Sequence, residues 1–233
     1  MGLAADRAAQ ADYKAGRKPM HESLAKQFPH FDEIVSAFGY PSVKVAGWEA
    51  DDVIATLATR GEAGGLTACL VSTDRDAFQL VSPGTCLMMT PRGVGDVEVY
   101  TPERVLARYG IGPALIPDFI ALKGDSADNI AAVPGIGEKT AAQLLARYGS
   151  LDAVLEHAHE QPPARRRALT ENADAARAAK KLATLRRDLD LPAEADPVAL
   201  VGTPPDRSRM REVFGRFELK RILERLALLE PPS

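Results

Sequence analysis

Residues 66–72 form a largely apolar run, and an acidic cluster at 74–76 follows it at once. A run of this kind is typical of a strand buried on both faces of a parallel sheet. A helical pattern ending near Gly64 precedes the run. Other segments have strand patterns as well, at 42–46, 85–89 and 97–100. This alternation predicts an α/β layer built around a parallel sheet.

Helical patterns lie on both sides of this layer. Upstream, apolar residues from Leu24 to Phe38 recur at helical spacing, Pro29 predicts a kink or restart, and Gly39 occupies a C-cap position. After residue 101 no strand pattern remains, and helices are predicted at 102–109, 113–123, 138–148, 150–158, 164–171, 173–187 and 208–229. We therefore expect two domains, an α/β core at 1–100 and an all-helical domain at 101–233.

Charge and cysteine content limit the class of protein. The net charge of −3 does not point to nucleic acid, so the distribution of charge matters more than its sum. Residues 1–50 contain no long apolar stretch, which predicts neither a signal peptide nor a transmembrane helix. Cys69 and Cys86 lie in apolar runs and are predicted to be buried thiols of a reducing compartment. We expect a cytoplasmic monomer without a membrane partner.

Three acidic clusters carry the strongest chemical signal in the sequence. Their members are Glu49, Asp51, Asp52, Asp74, Asp76, Asp125 and Asp128. Two of the clusters follow predicted strands, and the edge of a parallel sheet where the strands end is where ligands bind. Carboxylates that converge repel one another unless a cation is present. Oxygen ligands without His or Cys select Mg²⁺ or Mn²⁺, and two ions about 4 Å apart suit displacement at a phosphodiester.

Helix capping is the alternative for single members of these clusters. Aspartate at a helix N-terminus satisfies free backbone amides and suits the helix dipole. Asp52 and Asp128 are each explained by a cap at least as well as by a metal. The repeated pairing of carboxylates near strand ends nevertheless favours a shared metal site for the group as a whole.

A glycine-rich turn at 133–137 opens a predicted amphipathic helix. Gly135 and Gly137 allow a sharp turn and a close approach of a ligand to the backbone. The turn amides and the helix N-terminus, with Lys139 and Thr140, form an anion site suited to a DNA phosphate. A plain helix–turn–helix is the alternative. A weaker hypothesis is that carbonyl groups of the turn hold a monovalent cation such as K⁺.

Two basic stretches are candidates for DNA contact. The first spans 165–187, where only Glu171 and Asp174 are expected to oppose the arginines and lysines. It fits a surface that follows a duplex backbone and a solvated helix face about equally well. The second is short, and its Lys14 and Arg17 would neutralise a scissile phosphate if they lay beside the metal site.

Five motifs occur in an order and spacing that resemble the bacterial 5′-3′ exonuclease family. They are Tyr13-Lys-Ala-Gly-Arg17, Gly47-Trp-Glu-Ala-Asp-Asp52, Ser72-Thr-Asp-Arg-Asp76, Gly124-Asp-Ser-Ala-Asp-Asn129 and Pro134-Gly-Ile-Gly-Glu-Lys-Thr140. That family includes the N-terminal domain of DNA polymerase I and is related to flap endonucleases. The resemblance covers about residues 12 to 230. It implies a PIN-like α/β nuclease core followed by an all-α domain with a helix-hairpin-helix motif.

The resemblance also implies roles for individual residues. Glu49 and Asp51 would help to hold a first metal ion, while Asp74, Asp76 and Asp125 would hold a second. The remaining implied residues are outer ligands (Asp52, Asp128), a clamp on the scissile phosphate (Lys14, Arg17) and a grip on the duplex (Gly135, Gly137, Lys139).

The sequence departs from the family pattern at its start. The family has a strand ending in Asp-Gly-(Asn/Ser) and a later strand with another Asp, both upstream of the motif that begins here at Tyr13. Only twelve residues precede Tyr13. We therefore expect a sheet that is incomplete at the N-terminus, with an unpaired edge or apolar gap, and a first metal that lacks a ligand. Smaller departures are Thr73, where glycine is usual, and Ala131-Ala132, where Pro-Gly is usual.

The resulting hypothesis is a divalent-metal-dependent 5′-3′ exodeoxyribonuclease and flap endonuclease of DNA replication and repair. It would act on 5′-flap, nicked or branched DNA without a polymerase domain. The alternative is a catalytically impaired, structure-specific DNA-binding protein of the same descent that uses residues 124–187. A third hypothesis, an RNA-directed PIN-type ribonuclease, is disfavoured because the glycine turn suits duplex DNA.

Overall fold

The computed structural model describes residues 20–93, 95–198 and 206–228, which form two compact units. We call residues 45–191 the core unit, and residues 20–44 with the described part of 192–228 the terminal unit. The helices are α1 (Glu22–Ala25), α2 (Phe31–Ala37), α3 (Ala50–Ala63), α4 (Pro102–Tyr109), α5 (Ile116–Lys123), α6 (Glu138–Tyr148), α7 (Leu151–Glu156), α8 (Pro163–Glu171), α9 (Ala173–Ala183), α10 (Arg207–Arg216) and α11 (Lys220–Leu228). Short 3₁₀ helices cover Phe28–His30, Asp76–Leu80, Pro113–Leu115, His157–Glu160 and Ala193–Ala195.

A three-stranded sheet forms one layer of the core unit. Its strands are β1 (Ala68–Val71), β2 (Thr85–Met89) and β3 (Glu98–Tyr100), in that spatial order. β1 runs parallel to β2, with Cys69 opposite Cys86, whereas β3 runs antiparallel to β2, with Tyr100 opposite Leu87. The strands predicted at 66–72, 85–89 and 97–100 are confirmed, although the third makes the sheet mixed rather than wholly parallel.

The strand predicted at 42–46 is wrong, because the structure assigns no strand to these residues. Its alternating valines satisfy the local strand pattern. A strand, however, exists only where a neighbouring backbone binds its amide and carbonyl groups. None of the ladders among the described residues includes this segment.

Only one face of the sheet is buried. Leu70 and Leu87 belong to the hydrophobic core together with alanines of α3, whereas Val71 on the opposite face is 68% exposed. Cys69 is exposed and Cys86 is partly exposed. The prediction of a strand buried on both faces, with buried thiols, is therefore wrong, because α3 packs on the face opposite to that of the cysteines.

A connection at residues 184–191, which we call the strap, runs from α9 across the core unit. Gln79 is buried and accepts a hydrogen bond from the backbone amide of Leu185 at 2.9 Å. Asp52 is fully buried, and its Oδ1 accepts from the backbone amide of Arg186, also at 2.9 Å. The strap thereby joins the first turn of α3 to the 3₁₀ helix that follows β1.

Most helix predictions agree with the structure, including 102–109 and 138–148. The helix predicted at 173–187 ends at Ala183, because Gln79 and Asp52 bind backbone amides that another turn would require. The helix predicted at 208–229 is divided into α10 and α11, with Glu218 between them at a φ of 53°.

No single described helix has the length and apolar character to cross a membrane. α4 together with residues 113–123 forms a bent pair that meets the test by length and composition.

One hydrophobic core extends through the whole core unit. It joins Leu87 of the sheet to Phe119 of α5, Leu145 of α6 and Leu169 of α8. Strands end at Tyr100 and only helices follow, but the core passes this point without a break. The sheet and the helices after it consequently depend on each other for burial of apolar surface.

The terminal unit has a separate small core. α2 packs against α10, with the rings of Phe38 and Phe214 at 4.7 Å. Pro29 lies in the 3₁₀ turn between α1 and α2, so the predicted restart is confirmed. Gly39 follows α2 at a φ of 81°, a left-handed conformation typical of a C-cap glycine.

Asp118 is a buried carboxylate that connects three helices. It lies on α5 and is 3% exposed. One of its oxygens accepts hydrogen bonds from the backbone amide of Leu151, at 2.6 Å, and from Nζ of Lys180, at 2.8 Å. The first contact satisfies an amide at the start of α7, and the second binds α9.

We expect Asp118→Ala to lower the free energy of unfolding by about 3 kcal/mol, because it leaves a partly buried ammonium and a buried amide without their acceptor. Asp152→Ala removes one of two solvent-exposed partners of Arg177 and should cost about 1 kcal/mol or less. Chemical denaturation of the two variants measures the difference. Equal losses would show that Asp118 has no special structural role.

Candidate functional site

The three acidic clusters meet at a cleft of about 550 Å³ in the core unit. Asp51 reaches it from the first turn of α3, Asp74 from the segment after β1, and Asp125 from the loop after α5. Residues 72–75 and 125–127 supply the remaining lining. Three elements that are distant in sequence thus each place a carboxylate on one surface.

Local hydrogen bonds fix the backbone that carries Asp74 and Asp76. The amide of Asp74 donates to Oγ of Ser72 at 3.0 Å. Oδ1 of Asp74 in turn accepts from the amide of Asp76, also at 3.0 Å, and this turn starts the 3₁₀ helix at 76–80. The sequence folds this way because short polar side chains bind nearby amides more readily than they continue a strand.

The loop that carries Asp125 is closed by its own backbone. Asp125 and Ile130 exchange two backbone hydrogen bonds, of 2.9 and 2.7 Å. Oδ1 of Asp125 accepts from the amide of Ala127 at 2.8 Å. Gly124, at a φ of 76°, permits the turn, because a Cβ at this position would lie 2.6 Å from the amide nitrogen of Ala132.

The electrostatics of the site are those of crowded carboxylates. The pKa of Asp76 is raised to about 7, first by burial and then by the negative charges of Asp74, Asp128, Asp125 and Asp51. Four carboxylates from all three clusters therefore act on Asp76. Such an arrangement disfavours further negative charge and favours a bound cation.

The other predicted carboxylates have different surroundings. Asp52 is fully buried, holds the strap, and is not among the residues that line the cleft. Glu49 occupies the N-cap position of α3 without a side-chain capping bond, and it also lies outside the lining. Asp128 is 7% exposed. Lys14 and Arg17 lie outside the described residues.

The donor set is suitable for a hard cation, since the cleft offers carboxylate oxygens and hydroxyl groups and no thiol or imidazole. Within the described ranges, no three Asp, Glu, His or Cys side chains form a ready-made metal cluster. An ion would therefore be held by carboxylates that draw closer together, or through water. The negative charge that acts on Asp76 is the charge that such an ion would offset.

The glycine turn before α6 has apolar anchors and an exposed tip. Val133 and Ile136 are buried, while Gly135, Gly137 and Lys139 are exposed. A Cβ at either glycine would meet nothing within 4 Å, so the backbone there is open to a ligand. The first-turn amides of α6, including that of Thr140, begin directly after the tip. The predicted helix start at residue 138 is confirmed.

The basic stretch at 165–187 is more neutralised than the sequence indicates. Arg177 pairs with Asp152 at 2.9 Å, Lys180 with Asp118 at 2.8 Å, and Arg186 with Asp188 at 2.7 Å. The expectation that only Glu171 and Asp174 oppose these charges is wrong. The acids come from other helices and from the strap, and a local charge count cannot reveal them.

Sequence reasoning missed Arg75 as a residue of the cleft. Arg75 lies between Asp74 and Asp76 and lines the same cleft as Asp51, Asp74 and Asp125. Its place between two candidate ligands was the available signal. Ser72, which supports the Asp74 turn, was likewise not singled out as a site residue.

Two family models match the chain. The model described as "5′-3′ exonuclease, N-terminal resolvase-like domain" matches residues 5–110. The model described as "5′-3′ exonuclease, C-terminal SAM fold" matches residues 111–207. The two matches adjoin and together cover most of the chain.

Relatives at moderate identity are DNA polymerases. The chain is 38% identical to DNA polymerase I of Bacillus caldotenax over 223 residues, which are 95% of this chain and 25% of that protein. It is 37% identical to DNA polymerase I of Mycobacterium bovis over 215 residues, 92% of this chain and 24% of that protein. The chain thus spans about a quarter of the length of these relatives.

Solved structures show the same fold. A variant of T5 5′-exonuclease aligns with a TM-score of 0.63 at 19% identity, over 96% of this chain and 80% of that chain. A T5 5′-exonuclease structure with bound divalent metal ions (zinc) aligns with a TM-score of 0.63 at 21% identity, over 95% and 79%. The catalytic core of Rad2 in complex with DNA substrate aligns with a TM-score of 0.57 at 17% identity, over 97% and 74%. The expected fold class, a PIN-like α/β core followed by helices, is confirmed.

We expect Gly124→Ala to lower the free energy of unfolding by roughly 2–4 kcal/mol, because the methyl group adds left-handed strain and a backbone clash. The control is Gly112→Ala, at a φ of −75° with nothing within 4 Å of the new Cβ, which should stay within about 1 kcal/mol. Urea denaturation distinguishes the two. A Gly124 variant as stable as the control would contradict the close approach at this loop.

The raised pKa of Asp76 gives a pH dependence with a definite sign. Between its usual value of 3.8 and about 7, the folded protein retains a proton that the unfolded chain has lost. In the absence of metal, stability should therefore fall as pH rises through this window, by a few kcal/mol at most. Added Mn²⁺ should raise Tm more at pH 8 than at pH 5, because the ionised cluster binds it.

Thermal melts at four pH values, with EDTA and with Mn²⁺, test this prediction. Asp76→Asn should flatten the pH dependence measured in EDTA. Asp96→Asn, which changes a partly exposed carboxylate paired with Arg92, should leave it as in the parent. Identical pH profiles for all three proteins would show that Asp76 does not carry the effect.

Proposed function

The chain belongs to the 5′-3′ exonuclease family, and we propose that it hydrolyses phosphodiester bonds of DNA as a metal-dependent 5′-3′ exonuclease and flap endonuclease. The observation that carries the proposal is the convergence of Asp51, Asp74 and Asp125 on one cleft. A cleft lined by carboxylates repels an anionic substrate unless bound cations mediate the contact. The proposed setting is DNA replication and repair.

Mg²⁺ or Mn²⁺, as two ions, is the proposed cofactor. Asp74, Asp76 and Asp125 would hold one ion, and Asp51 with Glu49 would contribute to the other. When bound, such ions stabilise the negative charge of a phosphodiester undergoing displacement. Asp128 would support the set from its buried position.

We propose that Asp52 positions the metal-binding Asp51 and does not bind an ion directly. Its carboxylate accepts from the amide of Arg186 and so holds the first turn of α3, on which Asp51 lies. An outer contact to an ion through water remains part of the proposal. The fixed turns at Asp74 and Asp125 serve the same end, because they set the direction of each carboxylate before substrate arrives.

The DNA would reach from the cleft to the glycine turn. Open backbone at Gly135 and Gly137, the N-terminus of α6 and the exposed Lys139 form a surface suited to duplex phosphates. Thr140 adds a hydroxyl on the same turn of helix. Carbonyl groups of the turn are the proposed place for K⁺. Lys14 and Arg17 keep their proposed role at the scissile phosphate.

Further proposals concern organisation. We propose a monomer that acts in the cytoplasm on 5′-flap, nicked or branched DNA, without a membrane partner. The division into a nuclease domain at 1–100 and a DNA-binding domain at 101–233 is proposed as a functional one, because one hydrophobic core joins the sheet to the helices that follow it.

A catalytically impaired DNA-binding protein of the same family is the second candidate. The observation that favours it is that the described residues hold no ready-made cluster of three metal ligands. For this second candidate, the glycine turn and the helices around it would still bind branched DNA, but the DNA would not be cleaved.

Cleavage of a labelled 5′-flap DNA, with Mn²⁺ and with EDTA, separates the candidates. We expect metal-dependent release of the flap, and a loss of about a hundredfold or more in rate for Asp74→Ala and Asp125→Ala, with DNA binding largely retained. Asp96→Ala should match the parent protein. Binding without metal-dependent cleavage would support the impaired protein instead, and loss of binding in the two variants would argue against a metal role.

A further inference from the structure

Arg75 is a basic residue in the acidic cleft, and its side chain has no described partner there. Among the described residues that line the cleft it is the only basic side chain, and Asp51, Asp74 and Asp125 line the same space. The side chain of Arg75 makes no hydrogen bond or ion pair with any described residue, although three carboxylates line the same cleft. Its guanidinium is exposed and available to a ligand.

The backbone at Arg75 is held in one conformation. Arg75 has helical angles, with φ −76° and ψ −20°, at the start of the 3₁₀ helix. The Asp74 turn fixes the residue on one side, and the amide of Asp76 is bound on the other. A second wall near Arg75 is mostly apolar and contains Phe78 and Phe119, with Lys123 beside them. The backbone that carries the Arg75 side chain is therefore ordered before an anion binds.

The charge of the cleft gives Arg75 a specific use. A DNA strand brings one phosphate to the reacting centre, and ions at the carboxylates would neutralise that phosphate. Neighbouring phosphates of the strand then lie in the field of the remaining carboxylates, which repels them. A guanidinium at the edge of the cleft offsets this repulsion and offers a planar pair of donors to phosphate oxygens.

We propose that Arg75 binds a phosphate of the DNA strand next to the scissile one and so positions the strand over the carboxylates. Arg75 is thereby a positioning residue, distinct from Lys14 and Arg17. This inference rests on the proposed function, because it requires DNA in the cleft.

Equilibrium binding of a fluorescent 5′-flap DNA in Ca²⁺, across a series of salt concentrations, tests the contact. Arg75→Ala should weaken binding about tenfold and make the slope of log Kd against log salt shallower by about one, because one phosphate contact is lost. Arg75→Lys should retain the slope and lose only about threefold in affinity, since the charge remains and the fork is lost.

Arg92→Ala is the matched control, because Arg92 is an exposed arginine paired with Asp96 away from the cleft. It changes net charge equally and should leave both Kd and the slope unchanged. In cleavage assays Arg75→Ala should raise KM more than it lowers kcat, with Tm unaltered.

An Arg75→Ala protein with the parent's Kd and salt slope would overturn the inference. An equal loss in Arg92→Ala would also overturn it, since the effect would then be one of net charge. Failure of the parent protein to bind flap DNA would instead reject the proposed function itself, and the inference with it.

Discussion

Two buried polar side chains, Asp52 and Gln79, hold the strap, and the arrangement of the carboxylates depends on them. Asp52 lies on α3 beside Asp51, and Gln79 lies on the 3₁₀ helix that starts at Asp76. Each binds a backbone amide of the strap at 2.9 Å. Because the two acid-bearing elements share one length of backbone as their partner, neither can shift without breaking a buried hydrogen bond, which costs about 1–3 kcal/mol.

The hydrogen bonds to the strap fix the positions of carboxylates whose charges repel one another. Burial and, after it, the charges of four other aspartates raise the pKa of Asp76 to about 7. A cluster of this kind destabilises the metal-free fold, so the surrounding structure must supply the compensation. The turns at Asp74 and Asp125 and the continuous core beneath them provide it. A loss of stability at the site, compensated by the surrounding structure, is typical of sites that bind charged ligands.

Local pattern was sufficient for much of the fold and for the positions of the candidate ligands. The apolar run at 66–72, the helix starting at residue 138 and the restart at Pro29 follow from side-chain periodicity and from proline and glycine geometry, all of which act over a few residues. Convergence of the 49–52 and 74–76 clusters was expected because each follows a predicted strand, but only the strand before 74–76 forms.

Features that depend on distant partners could not be predicted in the same way. The end of α9 is decided by Gln79, more than a hundred residues away in sequence. The pairing of Lys180 with Asp118 likewise joins two helices that no local rule connects. Cys69 was expected to be buried because its neighbours are apolar, but exposure depends on which face α3 covers.

The unbroken core beneath the sheet and the helices has a consequence for how the molecule responds to ligands. The cleft and the glycine turn before α6 lie on one cooperative unit rather than on two independently stable parts. Local opening near one therefore lowers the protection of the other. A ligand held at either place should slow amide hydrogen exchange at both, so a duplex bound at the turn would make the acidic loops more rigid even without touching them.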